Sequence, residues 1–195
     1  MDFISKVASF SPVPAGGAAV ANSFCLAVAL IYKVVLFEAE RNYHNPEMSQ
    51  KLSGVKKEIE RLLRDAERLV EEDSETYMNF AESRRTGNKA QMKQYFNEIV
   101  EVSMKVMEKS EAAFRWIVQL HQIIPQQMVT HLLVANELLM GVINGSVHIV
   151  KDNLRVLKSP EKRKNYLNRL DQLHQEYQNR HQKILEDLTQ LSTAE

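Results

Sequence analysis

Apolar positions recur at helical spacing along almost the whole of this 195-residue chain, and no alternating stretch is long enough to read as a strand. The periodicity and its interruptions by glycine and proline mark six segments: 2–8, 18–40, 46–85, 89–121, 126–157 and 160–191. The pattern predicts an all-α fold, a single multi-helical bundle of about six helices in which long helices surround a central buried one. That centre is the second segment, VANSFCLAVALIYKVVLF, which is apolar nearly all round. In the last segment Leu170, Leu173, Tyr177, Ile184, Leu188 and Leu191 share one face among charged neighbours, as expected of a packing helix or a dimer seam. Several ends carry their own chemistry. Thr86, Gly87 and Asn88 stop the third segment, Pro125 disfavours helix in the residue before it, and Ser159 with Pro160 offers a capping hydroxyl followed by proline at the first helical position.

Length adds the expectation of one domain over 1–195. Lys plus Arg and Asp plus Glu number 25 each, so there is no broad basic field and no nucleic-acid partner is expected. Cys25 is the single cysteine, which excludes an intramolecular disulfide and points to a reducing compartment. MDFISK lacks the basic flank and apolar core of a secretory signal, and the expected location is cytoplasmic. The run 18–37 is long enough to span a bilayer. Asn22, Ser23 and Lys33 interrupt it, and a lysine costs roughly 3 kcal/mol inside a span, so the run is read as a buried helix with no membrane partner. HExxH, CxxC, P-loop and GxGxxG patterns are absent and the six histidines are scattered. No metal and no tightly bound cofactor are expected.

A few residues stand out against this background. Asp73 falls on the apolar stripe of the third segment (Val55, Ile59, Leu62, Ala66, Leu69, Tyr77, Phe80). A carboxylate there must be paired, hydrogen-bonded or held neutral, so it is either a link to another helix or part of a site. His131 shares a face with Ala135, Leu138, Val142 and Ile149, as a core histidine or as a proton shuttle. Lys33 and Asn153 also need partners, and Gly141 with Gly145 permits close approach of a helix or a ligand. In SPVPAGGAA, two prolines set an extended entry, and Gly16 with Gly17 leaves bare amides at a helix start suited to an anionic or carbonyl group.

SPVPAGGAAVANSFCLAVAL resembles the opening motif, approximately SPxPGGGSxAA, of the formiminotetrahydrofolate cyclodeaminase and methenyltetrahydrofolate cyclohydrolase family. DSETY at 73–77 is similar to that family's DxxAY or DxxAF, and GSVHIVKDNLRVL at 145–157 to its GAxxNVxINLxxL. The resemblance implies an all-helical homodimer binding a folate, with a tetrahydrofolate derivative as substrate. It implies either release of ammonia from a formimino group or addition of water to a methenyl bridge, water addition being preferred because the chain carries no transferase domain. Asp73 and His131 become the candidate catalytic residues, and Pro12, Pro14, Ala15, Gly16, Gly17, Lys33, Tyr77 and Asn153 the candidate substrate-binding ones. The chain departs from the family pattern at Ala15 (glycine), Ala18 (serine), Ile149 (asparagine) and His131, which stands in THLLVANE where SDxxVAA has aspartate. These losses keep a second expectation open: a relative that binds a folate-like ligand or a protein partner without turnover.

Overall fold

The computed structural model describes residues 2–155, 157 and 159–193; Val156 of the third resembling segment, and residues 194–195 of the expected domain, lie outside them. Among the described residues the elements are α1 (Phe3–Val7), α2 (Gly16–Arg41), α3 (Pro46–Arg85), α4 (Lys89–Leu120), α5 (Gln126–Leu154) and α6 (Pro160–Thr193), and no strand occurs. The fold is all-helical, as the periodicity predicts. Local chemistry sets the boundaries. The Asn45 and Asn88 side chains cap α3 and α4 by accepting from the N–H groups of Met48 and Gln91, and Ser159 Oγ accepts from Lys162 at the start of α6. Gly87 has φ of 70°, a left-handed turn that glycine adopts without steric cost and that reverses the chain between α3 and α4.

Side-chain pairings fix the register. α2 runs antiparallel to α3 through Gly17 against Asp73 and Tyr32 against Glu60. It runs antiparallel to α5 through Gly16 against Ile149 and Val20 against Gly145. Lys105 with Glu72 and Lys109 with Asp65 tie α4 back along α3, the second at 2.7 Å. α6 returns along α5, with His174 meeting Asn144 at 2.9 Å and Lys151 meeting Asp171 at 3.3 Å. The N-terminus of α2, the second half of α3, the first half of α4 and the end of α5 therefore converge at one end of the bundle.

The core runs through all five long helices. Phe24, Val28 and Ile31 of α2 pack among Ile59, Leu69, Met104, Met107, Leu132 and Leu139. On α6, Leu170, Tyr177, Ile184 and Leu188 are buried, with Tyr177 stacked on Phe114 at 5.7 Å, while Leu191 lies at the edge. The α3 stripe holds from Ile59 to Leu69 and then departs from the expected path, burying Thr76 and Ser83 and leaving Tyr77 40% exposed. Alternating steps of three and four, the spacing of a seam between long helices, lead from Asp73 to Thr76 rather than to Tyr77. α2 and α5 are long and apolar enough to cross a membrane by length and composition alone; in the bundle they pack against each other and against α4, α2 also against α3 and α5 against α6. Cys25 is half-buried, and burial, helped by Glu67, pushes its thiol up to about 11.

The two glycines of α5 have opposite roles. A β-carbon at Gly145 would stand 2.7 Å from Val20 Cγ2, whereas one at Gly141 meets nothing within 4 Å. Gly145→Ala is expected to destabilise the protein by about 1–3 kcal/mol through overpacking of α2 on α5. Gly54→Ala in α3, where a β-carbon also meets nothing within 4 Å, should instead stabilise it by up to about 1 kcal/mol through helix propensity. Urea denaturation of the two variants checks the pair; shifts of the same sign would contradict this packing.

Candidate functional site

Where the four helix ends converge lies a cleft of about 440 Å³, lined by Ala15, Gly16 and Gly17, by Asp73 and Tyr77, by Ile99, and by the α5 segment His148, Ile149, Asp152 and Asn153. Six of these, Ala15, Gly16, Gly17, Asp73, Tyr77 and Asn153, are candidates from the sequence, brought together from three helices. The geometry starts from the entry to α2. Ala15 occupies the cap position in extended conformation and has no side chain to cap with. The first helical bond runs from Ala19 N–H to Ala15 C=O at 2.9 Å, so the N–H groups of Gly16, Gly17 and Ala18 have no carbonyl inside the helix.

Asp73 supplies the missing cap from another helix. Its carboxylate accepts a hydrogen bond from the Ala18 N–H. A β-carbon at Gly17 would lie 2.8 Å from Asp73 Oδ2 and closer still to Oδ1, so glycine is what admits the carboxylate to the helix end. The half-buried Asp73 is held above the usual carboxylate range because burial disfavours its charge, and the Ala18 bond pulls it only part of the way back. Of the two readings of Asp73, the link to another helix is what this geometry shows, and the same position also lines the cleft. On the other side of the same turn, Gly16 faces Ile149 Cδ1 at 3.9 Å.

The remaining candidates are elsewhere. Pro12 and Pro14 lead into Ala15 but do not line the cleft, and the Val13–Pro14 bond is cis. Lys33 is exposed on α2, about 24 Å along the helix from Gly17 at 1.5 Å per residue. Its ammonium leaves the core for solvent and is not drawn to Asp73. His131 is half-buried near the start of α5, its Nδ1 buried without a hydrogen-bond partner, and sits about 27 Å along α5 from Ile149. Sequence reasoning passed over Ile99, His148 and Asp152. His148 and Asp152 were within reach of it, because they sit four apart in the segment already singled out and so share a helix face with the turn that carries Asn153.

A larger groove, about 860 Å³, runs between α4 and α6 and contains none of these candidates. Its Arg180 is engaged by Glu111 at 2.9 Å and Glu176 at 3.1 Å, whereas the candidates from the sequence converge at the smaller cleft. Among the described residues no cluster of His, Cys, Asp or Glu is arranged to hold a metal ion.

The described residues form an all-helical bundle in which a carboxylate of α3 meets the glycine-opened start of α2. The chain matches the formiminotransferase-cyclodeaminase family over residues 1–172 and belongs to it. Its fold is that of the formiminotetrahydrofolate cyclodeaminase of Thermotoga maritima, whose crystal structure aligns with a TM-score of 0.85 at 19% identity, covering 97% of this chain and 94% of that one. No curated protein sequence matches it. Family membership associates the chain with folate one-carbon metabolism.

Proposed function

We propose that the cleft binds a tetrahydrofolate derivative and adds water to its cationic methenyl bridge, giving the formyl derivative; release of ammonia from the formimino derivative is the related reaction the same residues would serve. The observation that carries this reading is the Asp73 carboxylate held at the bare first turn of α2. A cationic carbon between two nitrogens is stabilised by a facing carboxylate, and the oxygen that develops on that carbon is stabilised by N–H donors such as those of Gly16 and Gly17. Tyr77 supplies a flat face for a fused ring, Ile99 and Ile149 apolar walls, and Asn153 an amide for its polar edge. Pro12, Pro14 and Ala15 shape the approach to these amides. The reaction is hydrolytic and needs no tightly bound cofactor, and the protein acts in the cytoplasm.

The test is the loss of methenyltetrahydrofolate absorbance with purified protein. Decay faster than buffer is expected. Decay at the buffer rate with formiminotetrahydrofolate also untouched would overturn the reading, and a folate bound but unconverted would favour the non-catalytic relative instead.

We also propose that the protein is a homodimer, joined through the outward face of α2 and α5. Leu26 and Phe37 of α2 are 53% and 46% exposed, and Val134 of α5, 46% exposed, lines a groove with Ser23, Leu133, Glu137, Leu138 and Gly141. Apolar side chains on two adjacent long helices suit a self-complementary two-fold contact. Light scattering should give twice the 22.5 kDa chain mass, falling to one chain for Val134→Glu. A monomeric wild type would refute the dimer without touching the cleft.

A further inference from the structure

We propose that His148 takes the proton from the attacking water, working across the cleft from Asp73; this rests on the reading of the cleft given above. Two observations carry it. The first is placement. α2 begins between two walls: on α3, Asp73 and Tyr77, four residues apart, and on α5, His148 and Asp152, also four apart, with Ile149 in contact with Gly16. The second is that His148 is exposed to the cleft and makes no hydrogen bond among the described residues, whereas its neighbours on α5 are engaged. Asn144 meets His174 at 2.9 Å, Lys151 meets Asp171 at 3.3 Å, and Asp152 meets Arg155 at 3.0 Å. Among the described residues His148 is held by none of the hydrogen bonds or ion pairs that shape the bundle, and it lines the same cleft as Asp73.

The groups around it suit the task. α3 presents Asp73 and Tyr77, α5 presents Asp152, α4 contributes only the apolar Ile99, and the first turn of α2 carries no titratable side chain. Among the described residues no lysine or arginine lines the cleft, so there the imidazolium formed in the reaction meets carboxylates and no opposing cation. Histidine is also the side chain best matched to proton transfer near neutrality. In the step itself the water oxygen bonds to the bridge carbon, the C=N π pair moves onto nitrogen and discharges the cation, and the proton passes to His148. The tetrahedral carbon then collapses: the C=O bond forms, one C–N bond breaks, His148 returns its proton to the leaving nitrogen, and the hydroxyl proton goes to solvent. One water is consumed and one proton released.

The experiment is the pH dependence of kcat and KM for wild type, His148→Gln and Asp73→Asn, after subtraction of the buffer rate. With no protein partner to lose, His148→Gln should melt with the wild type. It should lose roughly 10²–10³-fold in kcat, the range of a general base, with KM changed much less. Its kcat should lose the rise with pH that the wild type shows, and added imidazole should restore part of the rate to His148→Ala. A His148→Gln variant with wild-type kcat and pH profile, beside an inactive Asp73→Asn, would overturn the role of His148 alone. A wild type that converts neither folate would overturn this role together with the reading of the cleft.

Discussion

Asp73→Asn is expected to keep its fold and to lose at least about a hundredfold in turnover. Asparagine retains an oxygen able to accept from the Ala18 N–H, so the cap of α2 survives, but the negative charge facing the cationic carbon is gone. The same variant carries a stability signature of known sign. Burial raises the folded-state value of Asp73 above its ordinary 3.8, so the folded protein holds this proton more tightly than the unfolded chain does. Its favourable contribution is present at acid pH and is lost as pH climbs through the unfolded value toward the raised folded one. Above both values the ionised carboxylate is therefore a cost that asparagine removes. The melting temperature of Asp73→Asn should exceed that of the wild type at pH 7, and the difference should shrink toward pH 4 as wild-type Asp73 takes up its proton. A variant that is both unstable at pH 7 and fully active would contradict the placement of Asp73 on both counts.

Gly17→Ala is the second large effect. One added methyl would overlap the Asp73 carboxylate, 2.8 Å from Oδ2 and nearer to Oδ1, so the carboxylate must swing out and the Ala18 N–H loses its acceptor. Overpacking is worth about 1–3 kcal/mol and a lost helix cap about 1 kcal/mol, and turnover should fall about as far as in Asp73→Asn because the same charge is displaced. Gly16→Ala is the control for stability alone: its methyl would meet Ile149 Cδ1 at an ordinary 3.9 Å. The double variant Gly17→Ala with Asp73→Asn should be little slower than either single one, since both remove one interaction. Independent, multiplying losses in kcat would show that Gly17 acts on something other than Asp73.

Much of this arrangement is legible before any coordinates. The helix spans follow from periodicity interrupted by Pro46, Gly87, Pro125 and Pro160, because those residues act within a turn of their own position. Asp73 is visible as an acid on an apolar stripe, and the Gly16–Gly17 start as an uncapped helix end. Lys33 and His131 are conspicuous for the same local reason, a polar group on an apolar helix. Yet one turns to solvent and the other lies several turns from the cleft, because periodicity gives a residue's face and says nothing about which end of a neighbouring helix it meets.

The order and approximate spans of the six helices, and the presence of a misplaced carboxylate, are thus determined by the sequence alone, since each rests on interactions within a few residues; α2 starts at Gly16 rather than 18 and α5 stops at Leu154 rather than 157. The tertiary structure decided the rest. The antiparallel register of α2 with α3 and α5 brings Gly17 to Asp73 and Gly16 to Ile149, and with them His148 and Asp152 to the cleft. Which helix ends coincide depends on close packing between segments remote in the chain, here on whether a backbone without a β-carbon meets a carboxylate or a valine, and no local pattern encodes that distance.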